Sequence, residues 1–161
     1  MMAEIDLFRI GAYAKAESGA GNSLPINGTV FISVNDSDKI AVIPMARDFK
    51  ELGFVIVATE GTAQLIAALG YEAVLTYKKI DQGHPNILDA VLHGDVVAVI
   101  NTVSGERGPL SDGFDIRRAA TEQRIPCFTS IDTAKAAVAS ATQSSSVLHV
   151  LPVRDYGTRA Q

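Results

Sequence analysis

Hydrophobic residues in this chain cluster in short continuous runs. GTVFISV (28–34), FVIVA (54–58), AVLTYK (73–78), VVAVIN (96–101) and IPCFTS (125–130) are rich in β-branched residues and bounded by turn formers. Between them the apolar spacing changes to that of helices: residues 36–53, 62–69, 86–94, 114–124 and 132–143. An aspartate or serine of Asp36-Ser37-Asp38 is the expected cap of the first of these helices, Gly53 its stop, and Pro44 predicts a kink or a late true start. Asp132 is the expected cap of the last. Residues 79–85 and 102–113 read as loops. A further helix is expected over 4–19, followed by a glycine-, asparagine- and proline-rich linker over 19–28. Residues 144–153 either add a final strand or trail off. Strands that alternate with helices of this length imply βαβ units, and unbroken apolar strands imply burial on both faces. The expected fold is therefore one doubly wound α/β domain, with a mostly parallel sheet of about five strands flanked by helices.

Composition narrows the function. The chain has 161 residues, the length of one domain, and 47% of them are hydrophobic, sufficient for a core. A net charge of −4 argues against broad nucleic-acid binding, which needs a basic surface. Cys127 is the single cysteine, so no internal disulfide forms and no cysteine-rich zinc site exists; this fits a reducing cytosol and a cytoplasmic location. No apolar run approaches the roughly 20 residues of a membrane span, and residues 1–13 do not form a secretory signal. His84, His93 and His149 have no metal-ligand spacing, so no metal site is expected.

In doubly wound sheets ligands bind outside the carboxyl ends of the strands, so the candidate chemistry lies in the loops there. Lys39 stands near a helix start, where the helix dipole does not favour a cation; it reads as a surface lysine or as the partner of a bound anion. Thr59, Gly61 and Thr62 stand where a strand passes into a helix, and read as a threonine cap with a turn glycine or as a phosphate cradle. Lys78 and Lys79 add positive charge after the third strand. Asn101 is a polar group at the end of a buried strand and must find a partner. Arg117 and Arg118 point about 100° apart on a helix, so at most one of them reaches a shared site. Convergence of Ser33, Lys39, Thr59, Thr62, Lys79 and Asn101 on one edge favours a small phosphorylated ligand. No nucleophile–base pair is evident, and Asp81 and Asp112 fall in expected loops without evident partners, so no catalytic residue is assigned.

GTVFISVNDSDK, GFVIVATEGTA, KIDQGHPNI, VINTVSG and DIRRAA, in that order and spacing, closely resemble the C-terminal, methylglyoxal-synthase-like regulatory domain of carbamoyl-phosphate synthase large chains. The resemblance runs from about Gly28 to Ala141. It implies that residues 1–27 come from the preceding synthetase region, that 28–143 are the regulatory domain, and that 144–161 are a C-terminal strand or tail. The domain would bind a nucleotide monophosphate of the uridine or inosine type through Ser33, Lys39, Thr59, Gly61, Thr62, Lys79, Asn101 and Thr102. A second effector region would include Thr129. Implied partners are the synthetase domains of the same large chain and a glutaminase small subunit. This region itself would hold no cofactor, whereas ATP and Mg2+ or Mn2+ would serve synthetase domains outside it. The intact enzyme would make carbamoyl phosphate for pyrimidine and arginine synthesis.

Two departures from the pattern concern ligands. Val103 replaces a threonine hydroxyl, and Cys127 replaces a tyrosine associated with ornithine. The rival reading is a methylglyoxal-synthase-like lyase acting on dihydroxyacetone phosphate. That chemistry needs an aspartate in a Gly-Gly-Asp stretch, and Pro85 of Gln82-Gly83-His84-Pro85-Asn86 stands in its place.

Overall fold

The computed structural model describes residues 2–20, 23–68, 70, 75–78, 80–102 and 110–143. The elements are α1 (Met2–Ala20), β1 (Thr29–Ser33), α2 (Lys39–Glu51), β2 (Val55–Ala58), α3 (Glu60–Ala68), β3 (Leu75–Thr76), α4 (Ile87–His93), β4 (Ala98–Asn101), α5 (Leu110–Glu122), β5 (Cys127–Phe128) and α6 (Ile131–Gln143). Short 3-10 turns, Asp36–Asp38 and Ile80–Gln82, precede α2 and α4. The five strands lie in the order β3-β2-β1-β4-β5, and every pairing is parallel. The expected doubly wound α/β domain is therefore the fold observed.

Central β1 shows why its run is unbroken. Val30, Phe31 and Ile32 are all fully buried, because helices cover both faces of the sheet. Val30 and Ile32 pack with Ile56, Ile100 and the buried faces of α2, α3 and α6, while Phe31 packs with Val57, Val99 and residues of α4 and α5. Alternation along the strand thus divides the core into two halves. α2 buries Val42, Met45, Ala46 and Phe49, the spacing of one helical face, and Phe49 meets Phe54 edge-to-face at 5.3 Å. α1 lies against α6.

Several boundaries differ from expectation, and capping explains most of them. α2 starts at Lys39, three residues later than the expected 36, and Pro44 remains inside the helix. An aspartate, Asp38, stands at the N-cap position of α2 but makes no side-chain cap bond, and the side-chain cap belongs to Asn35, which accepts from the Asp38 amide at the preceding 3-10 turn. α6 is capped by Ser130 rather than Asp132: the Ser130 hydroxyl accepts from Asp132 N–H at 3.2 Å, and its carbonyl from Ala134 N–H. α3 begins at Glu60, two residues earlier than expected, and α5 at Leu110, four residues earlier. Asp112, expected in a loop, therefore lies in the first turn of α5, where the helix dipole favours a carboxylate, and it has a partner there. Residues 73–74, most of the 102–113 loop, and the expected strand or tail from 144 lie outside the described residues.

Candidate functional site

The strand order makes β1 and β4 neighbours whose following chains leave towards opposite faces of the sheet. α2 after β1 packs in one core half, and α5 after β4 in the other. This is a topological switch point, where a crevice opens at the carboxyl edge. Ser33 and Asn101 are register partners at its floor. Thr102 N–H donates to the Ser33 carbonyl at 3.1 Å, and the Thr102 hydroxyl accepts from Asn35 N–H at 3.1 Å. Buried Thr102 thus ties the loop after β4 to the loop after β1, and its hydroxyl proton is still available to donate.

The α3 start supplies the next wall. The Thr59 carbonyl accepts the first helical bond, from Ala63 N–H at 2.8 Å, which makes Thr59 the cap residue and Gly61 and Thr62 the second and third helical residues. The Thr59 hydroxyl donates to Thr62 Oγ1 at 3.3 Å. Gly61 is not the turn glycine that the sequence suggested. It lies in ordinary helix, and what its missing side chain provides is room: a Cβ there would stand 3.5 Å from Lys39 Nζ. The amine of α2 is thereby brought against the first turn of α3, where free backbone N–H groups and the helix dipole already favour an anion.

Lys39 Nζ forms an ion pair with Asp36 Oδ1 at 2.6 Å. That hydrogen bond, and the charge behind it, hold the Asp36 carboxyl below its ordinary range. Asp36 is 93% exposed, so the pair is a surface one, of the kind that contributes little to stability and that a better-placed anion displaces.

On the other side, Arg117 of α5 donates from Nη1 to Asn101 Oδ1 at 2.6 Å. Of the two adjacent arginines, it is the one that reaches the crevice; Arg118 pairs with Glu122 on the helix surface. Gly113 makes the approach feasible, since a Cβ there would lie 3.1 Å from both Arg117 Nη1 and Asn101 Oδ1. Sequence reasoning assigned no role to Gly113 or to Asn35. Gly113 falls in the expected 102–113 loop and carried no signal of its own, whereas an asparagine preceding a helix start was the available signal for Asn35.

Ser33, Lys39, Thr59, Gly61, Thr62, Asn101 and Thr102 therefore sit on four elements, β1, α2, α3 and β4, and on the two loops after β2 and β4, all at the carboxyl edge of the sheet. Lys79 lies outside the described residues. Thr129 lies elsewhere, beyond β4 at the outer strand β5. There a cleft of about 720 Å³ is lined by Tyr13, Glu17, Cys127, Thr129 and Thr133 among others. Burial pushes the Cys127 thiol up, against the opposing effect of Arg117.

His84 and His93 share another open pocket, of about 590 Å³, with Tyr77, Asp89 and Asp95. His84 Nδ1 is 2.6 Å from Asp89 Oδ2. Among the described residues no group of three or more histidine, cysteine or carboxylate side chains is placed to hold a metal ion. None of the described helices is long and apolar enough to cross a membrane.

Comparison with known proteins identifies the family and the fold. The profile of the MGS-like domain family matches residues 41–129, and the chain belongs to that family. The carbamoyl phosphate synthase large chain of Thermomicrobium roseum is 43% identical over 148 residues, which are 92% of this chain and 14% of that protein. Its counterpart in Archaeoglobus fulgidus is 51% identical over 128 residues, 79% of this chain and 12% of that one. The chain thus spans only 12% and 14% of the length of these relatives. The crystal structure of ForH superposes with a TM-score of 0.57 at 17% identity, covering 79% of this chain and 84% of that one, and shares the fold.

Proposed function

We propose that the chain is an allosteric domain of a carbamoyl-phosphate synthase large chain, and that its switch-point crevice binds a nucleotide monophosphate. The observation that carries this reading is the Lys39 amine at Gly61, beside the first turn of α3. A cation, free helix N–H groups and two threonine hydroxyls meet where no side chain fills the space. Such a cradle suits a phosphate, whose oxygens accept charge-assisted hydrogen bonds. Asn101, Ser33 and Thr102 border the crevice across β1 and β4 and would reach the sugar or the phosphate rim, with Lys79 adding charge from the loop after β3.

In this reading residues 28–143 are the regulatory unit, and residues 1–27 connect it to the synthetase domains of the same large chain. A glutaminase small subunit completes the enzyme, and ATP with Mg2+ or Mn2+ acts in the synthetase domains. The setting is the cytoplasm, and the product feeds pyrimidine and arginine synthesis. Effector binding changes how this domain packs on the synthetase body, with a coupling of about 1–3 kcal/mol. Thr129 and its cleft form a second effector region.

Calorimetric titration with uridine and inosine monophosphates tests the reading. At least one should bind, and Lys39→Met should weaken it by at least about tenfold. Absence of binding by either, with the chain folded, overturns the assignment. Formation of methylglyoxal from dihydroxyacetone phosphate would replace it with the lyase.

A further inference from the structure

Resting on the nucleotide reading above, we infer that Arg117 is a positioning residue: it sets which end of the Asn101 amide faces the crevice, and so makes the crevice select a hydrogen-bond acceptor, the phosphate of a nucleotide monophosphate.

The chemistry of the pair determines the orientation. A guanidinium can only donate, so the Asn101 atom 2.6 Å from Arg117 Nη1 must be the carbonyl oxygen Oδ1. The Nδ2 amide group is thereby turned away from Arg117. Arg117 is the only side-chain hydrogen-bond partner of Asn101 among the described residues, so Nδ2 has none there. Asn101 is 5% exposed, yet no fully buried side-chain nitrogen or oxygen among the described residues lacks a partner. Nδ2 is therefore not a sealed, orphaned group; it stands 3.8 Å from where a Gly113 Cβ would be, on a residue whose register partner is Ser33, and its N–H groups are open to a ligand.

The arrangement is built rather than incidental. Gly113 sits one helical turn before Arg117, and any side chain there would press within 3.1 Å of both members of the pair. Among the described residues no carboxylate forms an ion pair with Arg117, whereas its neighbour Arg118 has Glu122. A half-buried guanidinium with no counter-ion among the described residues, behind an amide whose N–H groups are open, favours negative charge in front of it. With Lys39 on the opposite side of the sheet, the crevice then shows a phosphate donors from both faces.

The test uses the 161-residue chain titrated with uridine monophosphate, inosine monophosphate and uridine, with thermal melting to verify folding. The wild type should bind a monophosphate more tightly than the nucleoside. Asn101→Asp keeps the shape and the bond to Arg117 but turns a second carboxylate oxygen to the ligand. It should remain as stable as the wild type and lose at least about tenfold in monophosphate affinity. Arg117→Met should lose a similar factor, and Arg117→Lys, which can still donate to Oδ1, should recover part of it.

A ligand-free measurement reads the positioning directly. The two Asn101 side-chain amide protons should be well resolved by NMR in the wild type and move towards their free-amide positions in Arg117→Met. If the wild type binds neither monophosphate, the nucleotide reading fails and the selection falls with it. If the wild type binds but Asn101→Asp and Arg117→Met bind equally well, only the role of Arg117 is overturned. Unchanged Asn101 amide resonances in Arg117→Met overturn the positioning as well.

Discussion

Two buried asparagines, one at the start of α4 and one at the floor of the crevice, are used in opposite ways. Asn86 is 1% exposed and fully committed to the chain. Its Oδ1 accepts from Leu88 and Asp89 N–H, its Nδ2 donates to the Gly83 carbonyl at 3.2 Å, and its backbone N–H donates to Asp89 Oδ2 at 2.8 Å. Together with the Lys78–Asn86 bridge, this closes the loop after β3 on itself. Asn101 is nearly as buried, but only its oxygen is engaged, by a side chain from another element. A polar residue whose groups are all satisfied locally consolidates structure. One that is half satisfied, with its remaining donors at a crevice, retains capacity for a ligand.

The glycines repeat the contrast, and they give the largest expected effect. Gly28 has φ +129°, and a Cβ there would lie 2.7 Å from Val97 Cγ2. Gly28→Ala should lose about 3 kcal/mol in urea denaturation, from backbone strain and overlap together. Asn86→Ala should cost about 2 kcal/mol by the same measurement, because a cap is lost and the Gly83 carbonyl loses its donor. Asn101→Ala should cost less than that; the reverse order would break the contrast between the two asparagines.

Gly61→Ala should raise stability by up to about 1 kcal/mol, since the site is helical and the new methyl meets Lys39 Nζ only at van der Waals distance. The same methyl fills the cradle, so monophosphate affinity should fall at least about tenfold by calorimetry. A variant that is both more stable and equally able to bind would remove Gly61 from the site.

The smallest effect concerns pH. The hydrogen bond from His84, then the one from Asn86 N–H, holds the Asp89 carboxyl below its ordinary value. A depressed carboxylate contributes stability that is present above its unfolded pKa of about 3.9 and is lost as pH falls through its lower folded value. Denaturation midpoints followed below pH 4 should therefore decline less steeply in Asp89→Asn than in the wild type.

Much of the fold was legible because parallel strands covered on both faces must be continuously apolar, and all five observed strands lie within the runs read from the sequence. Helix starts were less legible. Asn35 and Ser130 had neighbours of equal capping ability, and the choice among Asn35, Asp36, Ser37 and Asp38 depends on where the preceding strand releases the chain. The crevice was legible in part. Ser33, Lys39, Thr59, Thr62 and Asn101 stand at strand ends, which periodicity locates. Gly113 is hidden because apolar periodicity starts α5 only at 114, and Arg117 is not separable from Arg118, because adjacent helical residues differ only in direction.

By itself the sequence determined the alternation of strands and helices, the edge on which ligands are expected, and the residue types available there. These follow from local apolar periodicity and from the rule that loops at carboxyl ends carry sites. Tertiary structure alone decided the strand order, which pairs Ser33 with Asn101 although 67 positions separate the loop residues Asn35 and Thr102 that tie them together. It also decided that Lys39 reaches Gly61 from another helix and that Arg117 turns the Asn101 amide. Those contacts depend on how separate elements cross in space, which no window of neighbouring residues encodes.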